Sequence, residues 1–245
     1  MKQSLQMPRR SLIWAYVVVI HVVLLLLVLR ILVPDLALWG PASQPSAAEV
    51  HYANMVEFHS SGDAALEPGR VLFLGDSITQ GLPVSIVTDV GVNYGIGSDD
   101  AVGLLRRLDR YGSINQAAAV VVAMGSNDIN RADDDEFLDN YRAVLDAFPA
   151  DLPVLCSAIL PIDEPVRSNW LRRSNERIGS VNADLRAECE GRGHGFVDAT
   201  AALADDLGNL DSSLHDGDGL HLNPQGNVVW ADQLKAGLSE LGIAS

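Results

Sequence analysis

Residues 11–33, SLIWAYVVVIHVVLLLLVLRILV, form an almost unbroken apolar run, interrupted only by Ser11, His21 and Arg30. Leu12 to Leu29 would make about 27 Å of helix at ~1.5 Å per residue, close to the ~30 Å hydrocarbon core of a bilayer. After a polar stretch the pattern changes to short β-branched runs alternating with amphipathic ones. The runs are RVLFLGD (70–76), VGVNYGIG (90–97), AVVVAMGSND (119–128), LPVLCSAIL (152–160) and GFVDAT (195–200). Each reads as a strand buried on both faces. Between them, DDAVGLLRRLDRYG (99–112), DDDEFLDNYRAVLDAF (133–148), NWLRRSNERIGSVNADLRAEC (169–189) and NPQGNVVWADQLKAGLSEL (223–241) carry apolar positions at helical spacing. Acids open the second of these, as suits a helix N-terminus.

Buried strands alternating with helices predict a parallel sheet covered on both faces, a three-layer α/β/α sandwich with five strands. Residues 1–10 are expected to stay cytoplasmic and 11–33 to form a transmembrane signal anchor. A Pro-, Ala- and Ser-rich linker would cover 34–50, leaving a single domain at 51–245. Lys2, Arg9 and Arg10 precede the apolar run and no acidic residue does, which orients the domain outward, periplasmic or extracellular. A cleaved signal peptide is the rival reading. Its apolar region would be ~7–15 residues with a small-residue site close behind, whereas SAA at 46–48 lies well past the run, so an uncleaved anchor is favoured.

Charge narrows the partners. Of 17 basic residues 13 lie from residue 35 onward, against all 32 acidic ones. So acidic a domain is ill suited to nucleic acid or to an anionic lipid surface. Cys156 falls in an expected buried strand and Cys189 late in an expected helix; the pattern is read as two separate buried thiols, with pairing the alternative in an exported domain.

In parallel sheets ligands gather at the carboxyl ends of the strands. Asp76 and Ser77 follow the first strand, GIGSDD the second and GSND the third, while DGDGLHLNP (216–224) follows the fifth after a helix-like stretch. One rim would thus hold a serine, a histidine, an aspartate to orient it and an asparagine amide. Those are the parts of acyl transfer: a nucleophile, a base, a group that holds the base, and donors for an oxyanion. Taken singly each motif is ordinary. GDS can be a helix cap and GSND a turn. DGDG lacks the glutamate and spacing of a calcium loop, and GIGSDD lacks the third glycine of a dinucleotide loop. Their conjunction in this chain order is what points to chemistry.

The chain here resembles the SGNH (GDSL-type) hydrolases, whose motifs span roughly 70–235. GDSIT (75–79) matches the first block and implies Ser77 as nucleophile. GSND (125–128) implies Asn127 as an oxyanion-hole amide, and DGLH (218–221) implies Asp218 and His221 as the rest of a catalytic triad. The second block departs from the family: Ser98 stands where its oxyanion glycine is expected, with Gly97 one residue before. The contact needed is a backbone N–H, so the hole is assigned to Ser77, Asn127 and Ser98, with Gly97 as the second choice. The resemblance implies a flavodoxin-like sheet, an ester substrate with a small acyl group, such as an O-acetylated glycan or a lipid, and no metal or organic cofactor. An acyltransferase, a lysophospholipase or thioesterase with the same triad, and an inactive binding module are the alternatives.

Other residues receive lesser roles. Asp76 and Asp128 are read as bracing turns, and His51, His59 and His194 as surface or satisfied core groups. His215 is read as a candidate substrate contact. Arg131 and the loop 161–170, with Trp170 as a wall, are expected to shape the pocket.

Overall fold

The structure is a computed structural model and describes residues 9–32, 44–168 and 174–243. Its elements are α1 (Arg9–Leu32), α2 (Ala47–Asp63), β1 (Val71–Gly75), α3 (Ser77–Gly81), β2 (Gly91–Gly95), α4 (Ala101–Arg107), β3 (Ala119–Ala123), α5 (Asp128–Arg131), α6 (Asp134–Asp146), β4 (Val154–Ser157), α7 (Asn175–Gly191), β5 (Gly195–Val197), α8 (Thr200–Leu203) and α9 (Pro224–Glu240). The chain divides into two compact units, Met1–Ser46 and Ala47–Ser245.

In the first unit, α1 takes up the apolar run, and its side chains from Ile13 to Val28 include many exposed large apolar groups. Among the described residues no helix is long and apolar enough to cross a membrane, so the anchor rests on the sequence pattern.

In the second unit the five strands form one wholly parallel sheet in the order β2-β1-β3-β4-β5, the flavodoxin-like order. The central strands β1, β3 and β4 are buried nearly throughout, which is why they read as continuous apolar runs rather than alternating ones. Helices α4, α6 and α7 pack side by side in one layer; α9 lies over β4 and β5, with α8 beside it, in the other. Helix α6 shows how sequence sets an element here. Asp133 caps it by accepting from Glu136 N–H at 2.8 Å, and Phe137, Leu138, Tyr141, Val144 and Leu145 are its buried face.

Three expectations are corrected. Helix starts at Ala47, inside the expected linker, and α2 is bound to the domain. Asp63 accepts from Tyr94 Oη at 2.6 Å and from Ser113 N–H at 3.1 Å, and Tyr52 Oη donates to Gly103 O at 2.7 Å. The long third helix starts at Asn175, where Ser174 Oγ caps Arg177 N–H at 3.2 Å. Cys156 and Cys189 are not separate thiols. The end of α7 lies over β4, bringing their Cα atoms to 6.6 Å in a disulfide across 33 residues. In the chain-entropy account such a link stabilises the fold by about 3–4 kcal/mol.

Candidate active site

The register of the sheet sets Gly75 of β1 beside Gly95 of β2 and Ala123 of β3. Helix α3 crosses so close above these ends that only glycine fits. A Cβ on Gly95 would lie 2.2 Å from Gln80 N, and one on Gly75 would lie 2.4 Å from Ala123 O. Asp76 turns the chain from strand to helix, its carboxylate accepting from Ile78 N–H at 2.9 Å. Ser77 is therefore the first helical residue, whose N–H has no partner within the helix.

Ser77 Oγ lies 2.9 Å from His221 Nε2, and His221 Nδ1 lies 2.5 Å from Asp218 Oδ2. A carboxylate on Nδ1 keeps the proton of a neutral imidazole there, leaving the Nε2 lone pair for the serine hydroxyl. Asp218 Oδ1 accepts from the N–H groups of Leu220 and His221, both at 2.9 Å. Burial pushes this carboxyl up, but the hydrogen bonds from the His221 ring and the two N–H groups outweigh it and hold it at about 2. It is ionised throughout the neutral range. The turn depends on Gly217 (φ 85°) and Gly219 (φ 75°), both left-handed. At Gly219 a Cβ would also meet Val166 at 3.0 Å and Asp163 O at 3.1 Å.

The loop from Ile96 to Asp100 follows β2 and is tied to the end of β1, Ile96 N–H donating to Gly75 O at 3.0 Å. Ser98 has φ 63°, the one described non-glycine residue in the left-handed region. That geometry accounts for a glycine preference at this position. The Gly97 N–H donates to Gln80 Oε1 at 2.6 Å and is thus occupied, which corrects the second-choice assignment. The N–H of Ser98 makes no hydrogen bond among the described residues. Asn127 sits at the end of β3 and donates through Nδ2 to Asp99 O at 2.9 Å, which leaves its other amide hydrogen. The Ser77 hydroxyl thus has the His221 ring at hydrogen-bond distance, while the Ser98 N–H and one Asn127 amide hydrogen make no bond among the described residues.

Charged groups hold this loop from below. Buried Arg107 donates to Asp99 Oδ2 at 2.9 Å, Tyr94 O at 2.7 Å and Gly75 O at 3.2 Å. Burial pushes the Asp99 carboxyl up to about 6 despite this cation. Asp128 Oδ1 accepts from Ala101 N–H at 2.9 Å, and burial, set against that bond and joined by the Asp100 and Asp76 charges, raises the Asp128 carboxyl to about 7.

An open groove of about 600 Å³ runs beside Ser77 and His221, walled by Leu82, Pro83, Leu222 and Pro224, with Asp216 at its edge. Arg131 is a brace and not a pocket wall: it donates to Ser98 O at 2.9 Å and pairs with Asp100 at 3.1 Å. His215 is not a substrate contact. It is buried, accepts at Nδ1 from Gly217 and Gly219 N–H, and faces Asp163 through Nε2. Trp170 lies outside the described residues. His51 has a neighbour that its sequence context does not signal: a Cβ on Gly97 would lie 3.4 Å from its Nε2, so α2 brings an imidazole against the loop. Gln80 and Arg107, which also hold the site, were not singled out in the sequence; Asp163 and Arg167 fall in the loop 161–170 expected to shape the pocket, but brace the Asp218 turn instead. Gln80 had a signal of its own, one helical turn after Ser77; Arg107 acts through partners that only folding brings near.

Residues 73–229 match the profile of the family described as GDSL-like Lipase/Acylhydrolase. Comparison with curated proteins gives no match. Solved structures similar to the chain include a GDSL-like lipase from Bacteroides thetaiotaomicron, at 22% identity and TM-score 0.65 over 78% of this chain and 99% of that one. An acetyl xylan esterase matches at 22% identity and TM-score 0.56, over 68% and 98%. Another, from Geobacillus stearothermophilus, matches at 20% and 0.52, over 74% and 99%. At these identities the likeness is one of fold.

Proposed function

This chain belongs to the GDSL-like lipase/acylhydrolase family and is a carboxylic ester hydrolase, and on that premise we propose that Ser77, His221 and Asp218 are its catalytic triad. The observation that carries the reading is the continuous pair of hydrogen bonds from Ser77 Oγ to His221 and from His221 to Asp218. As Ser77 Oγ attacks the ester carbonyl carbon, His221 Nε2 takes the hydroxyl proton, and Asp218 stabilises the imidazolium so formed. The carbonyl π electrons move to oxygen, where the N–H groups of Ser77 and Ser98 and the Asn127 amide receive the charge. The tetrahedral species collapses, the alcohol leaves with the proton from His221, and water repeats the sequence to free the acid and restore Ser77.

The proposed substrates are small acyl esters, O-acetyl groups on a glycan among them. Acetyl xylan esterases among the similar structures and a groove open to solvent at Ser77 support that choice over a long-chain lipid. We also propose that the domain is exported and held by the 11–33 segment. The basic residues ahead of it, its nearly unbroken apolar sequence and the disulfide of the domain support this reading. The enzymatic test is hydrolysis of p-nitrophenyl esters of increasing chain length by the protein and by Ser77→Ala. We expect highest kcat/KM for acetyl and a loss of at least ~10⁴-fold in kcat in the variant. Full activity without the Ser77 hydroxyl would refute the triad, and an optimum at long chains would refute the acyl preference. Release of the protein from membranes by alkaline carbonate would refute the anchor.

A further inference from the structure

We propose that Arg167 is a positioning residue of this site: its guanidinium fixes the Asp218 carboxylate and lowers the affinity of the His221 ring for its catalytic proton. The inference rests on the triad reading above. Asp218 Oδ2 is shared. It receives His221 Nδ1 at 2.5 Å and Arg167 Nη2 at 2.8 Å. The Arg167 side chain is 16% exposed and that of Asp218 38%, so the pair is only partly screened by water.

The turn that carries Arg167 is tied to the turn that carries Asp218 by bonds that do not involve either charge. Asp163 N–H donates to Gly219 O at 3.0 Å, and Arg167 N–H donates to Asp163 O at 3.0 Å. His215 accepts at Nδ1 from Gly217 N–H at 2.9 Å and Gly219 N–H at 3.1 Å, so its proton is on Nε2, 3.2 Å from Asp163 Oδ2. A side chain of such length would otherwise lose much rotamer freedom on reaching Asp218. Here the clasp already delivers it.

The electrostatic consequence has a definite sign. A guanidinium keeps its charge across the working pH range. Lying on the same oxygen as the ring N–H, it draws on the lone pairs that would stabilise the imidazolium and repels that cation directly. Acting the other way are Asp218 itself and Asp216, which lines the groove and whose N–H donates to His221 O at 2.9 Å. Asp163 and His215 lie behind the turn, bonded to each other. Ser77 faces Nε2 and carries no charge. Among the described residues Arg167 is the one cation in this set, and it moves the base toward the neutral form that accepts the serine proton. A group merely holding the turn in place would not have that effect.

The test compares the full-length protein in detergent with Arg167→Met and Arg167→Lys. Two readouts are followed against pH: the nitrogen resonances of the His221 ring, assigned with His221→Gln, and kcat/KM for p-nitrophenyl acetate. In Arg167→Met the ring should titrate about one unit higher, and the acid limb of the rate profile should move up with it. The plateau kcat should fall about tenfold. Arg167→Lys, which keeps a point charge, should hold the ring midpoint within a few tenths of the parent. Ring midpoints equal in all three proteins would overturn the inference, even if activity fell. A raised midpoint in Arg167→Met without ester turnover in any of the three proteins would leave the inference standing and refute the triad reading beneath it.

Discussion

The two loops that meet at Ser77 are built on different principles. The turn bearing Asp218 and His221 takes its shape from its own residues, with Asp163 and Arg167 added from one neighbouring turn: Asp218 accepts from N–H groups two and three positions ahead, and two left-handed glycines bracket it. The loop from Ile96 to Asp100 is held almost entirely from outside. Gln80 takes the Gly97 N–H, Asn127 holds Asp99 O, Arg131 holds Ser98 O, and Arg107 holds the Asp99 carboxylate. A self-contained turn needs the right residue at each position, glycine included. An over-determined loop can keep its shape with a serine where glycine would be easier, since the surrounding bonds oppose the strain of about 1–2 kcal/mol.

The largest effect comes from breaking the link that both holds the loop and faces the substrate. Asn127 donates one amide hydrogen to Asp99 O, and in the proposed mechanism the other meets the oxyanion. Asn127→Ala should lower kcat by about 10²–10³-fold with a much smaller change in KM, as for removal of an oxyanion donor. Steady-state kinetics on p-nitrophenyl acetate checks this. A rise in KM at constant kcat would assign the residue to substrate binding alone.

The difference between the loops also explains what the sequence revealed. The central strands β1, β3 and β4 were legible because burial on both faces leaves a continuous apolar signature. Ser77, Asp218 and His221, which the fold brings within hydrogen-bond distance of one another, could be singled out because each lies in a short motif with its own local geometry. Arg107 carried no such sign, and Arg131 and the loop of Arg167 were read as pocket walls rather than braces. Each of these arginines reaches a partner 8, 33 or 51 residues away, and nothing in the spacing of an arginine reports a contact made by folding. The disulfide was missed for the same reason, since a cysteine in a buried strand and one in a helix look like two small apolar residues until α7 is seen to lie over β4.

A smaller effect tests the carboxylate under the loop. Asp128 Oδ1 accepts from Ala101 N–H, while Oδ2 has no partner among the described residues. Its folded value of about 7 lies above the unfolded 3.8, so the native state holds this proton more tightly than the unfolded chain. The stability it contributes is fully present below about pH 4 and is lost as pH rises through 7. Asp128→Asn keeps the acceptor for Ala101 and removes the ionisation. Its stability relative to the parent should therefore grow by about 4 kcal/mol between pH 4 and pH 8. Urea unfolding at the two pH values decides it; an unchanged difference would show that Asp128 is neutral or well solvated in both states.

The smallest effect bears most directly on the contrast. Ser98→Gly relieves the left-handed strain but gives the unfolded chain more freedom, and the two terms offset each other in part. A net gain of about 0.5–1 kcal/mol is expected. Ser98 O still accepts from Arg131 and the N–H at 98 is retained, so kcat should stay within about threefold. A stability loss would mean that the serine side chain itself supports the loop. A fall in kcat beyond tenfold, with the N–H intact, would mean that the Ser98 hydroxyl takes part in catalysis, and the loop would then have replaced glycine for chemistry as well as tolerated its absence.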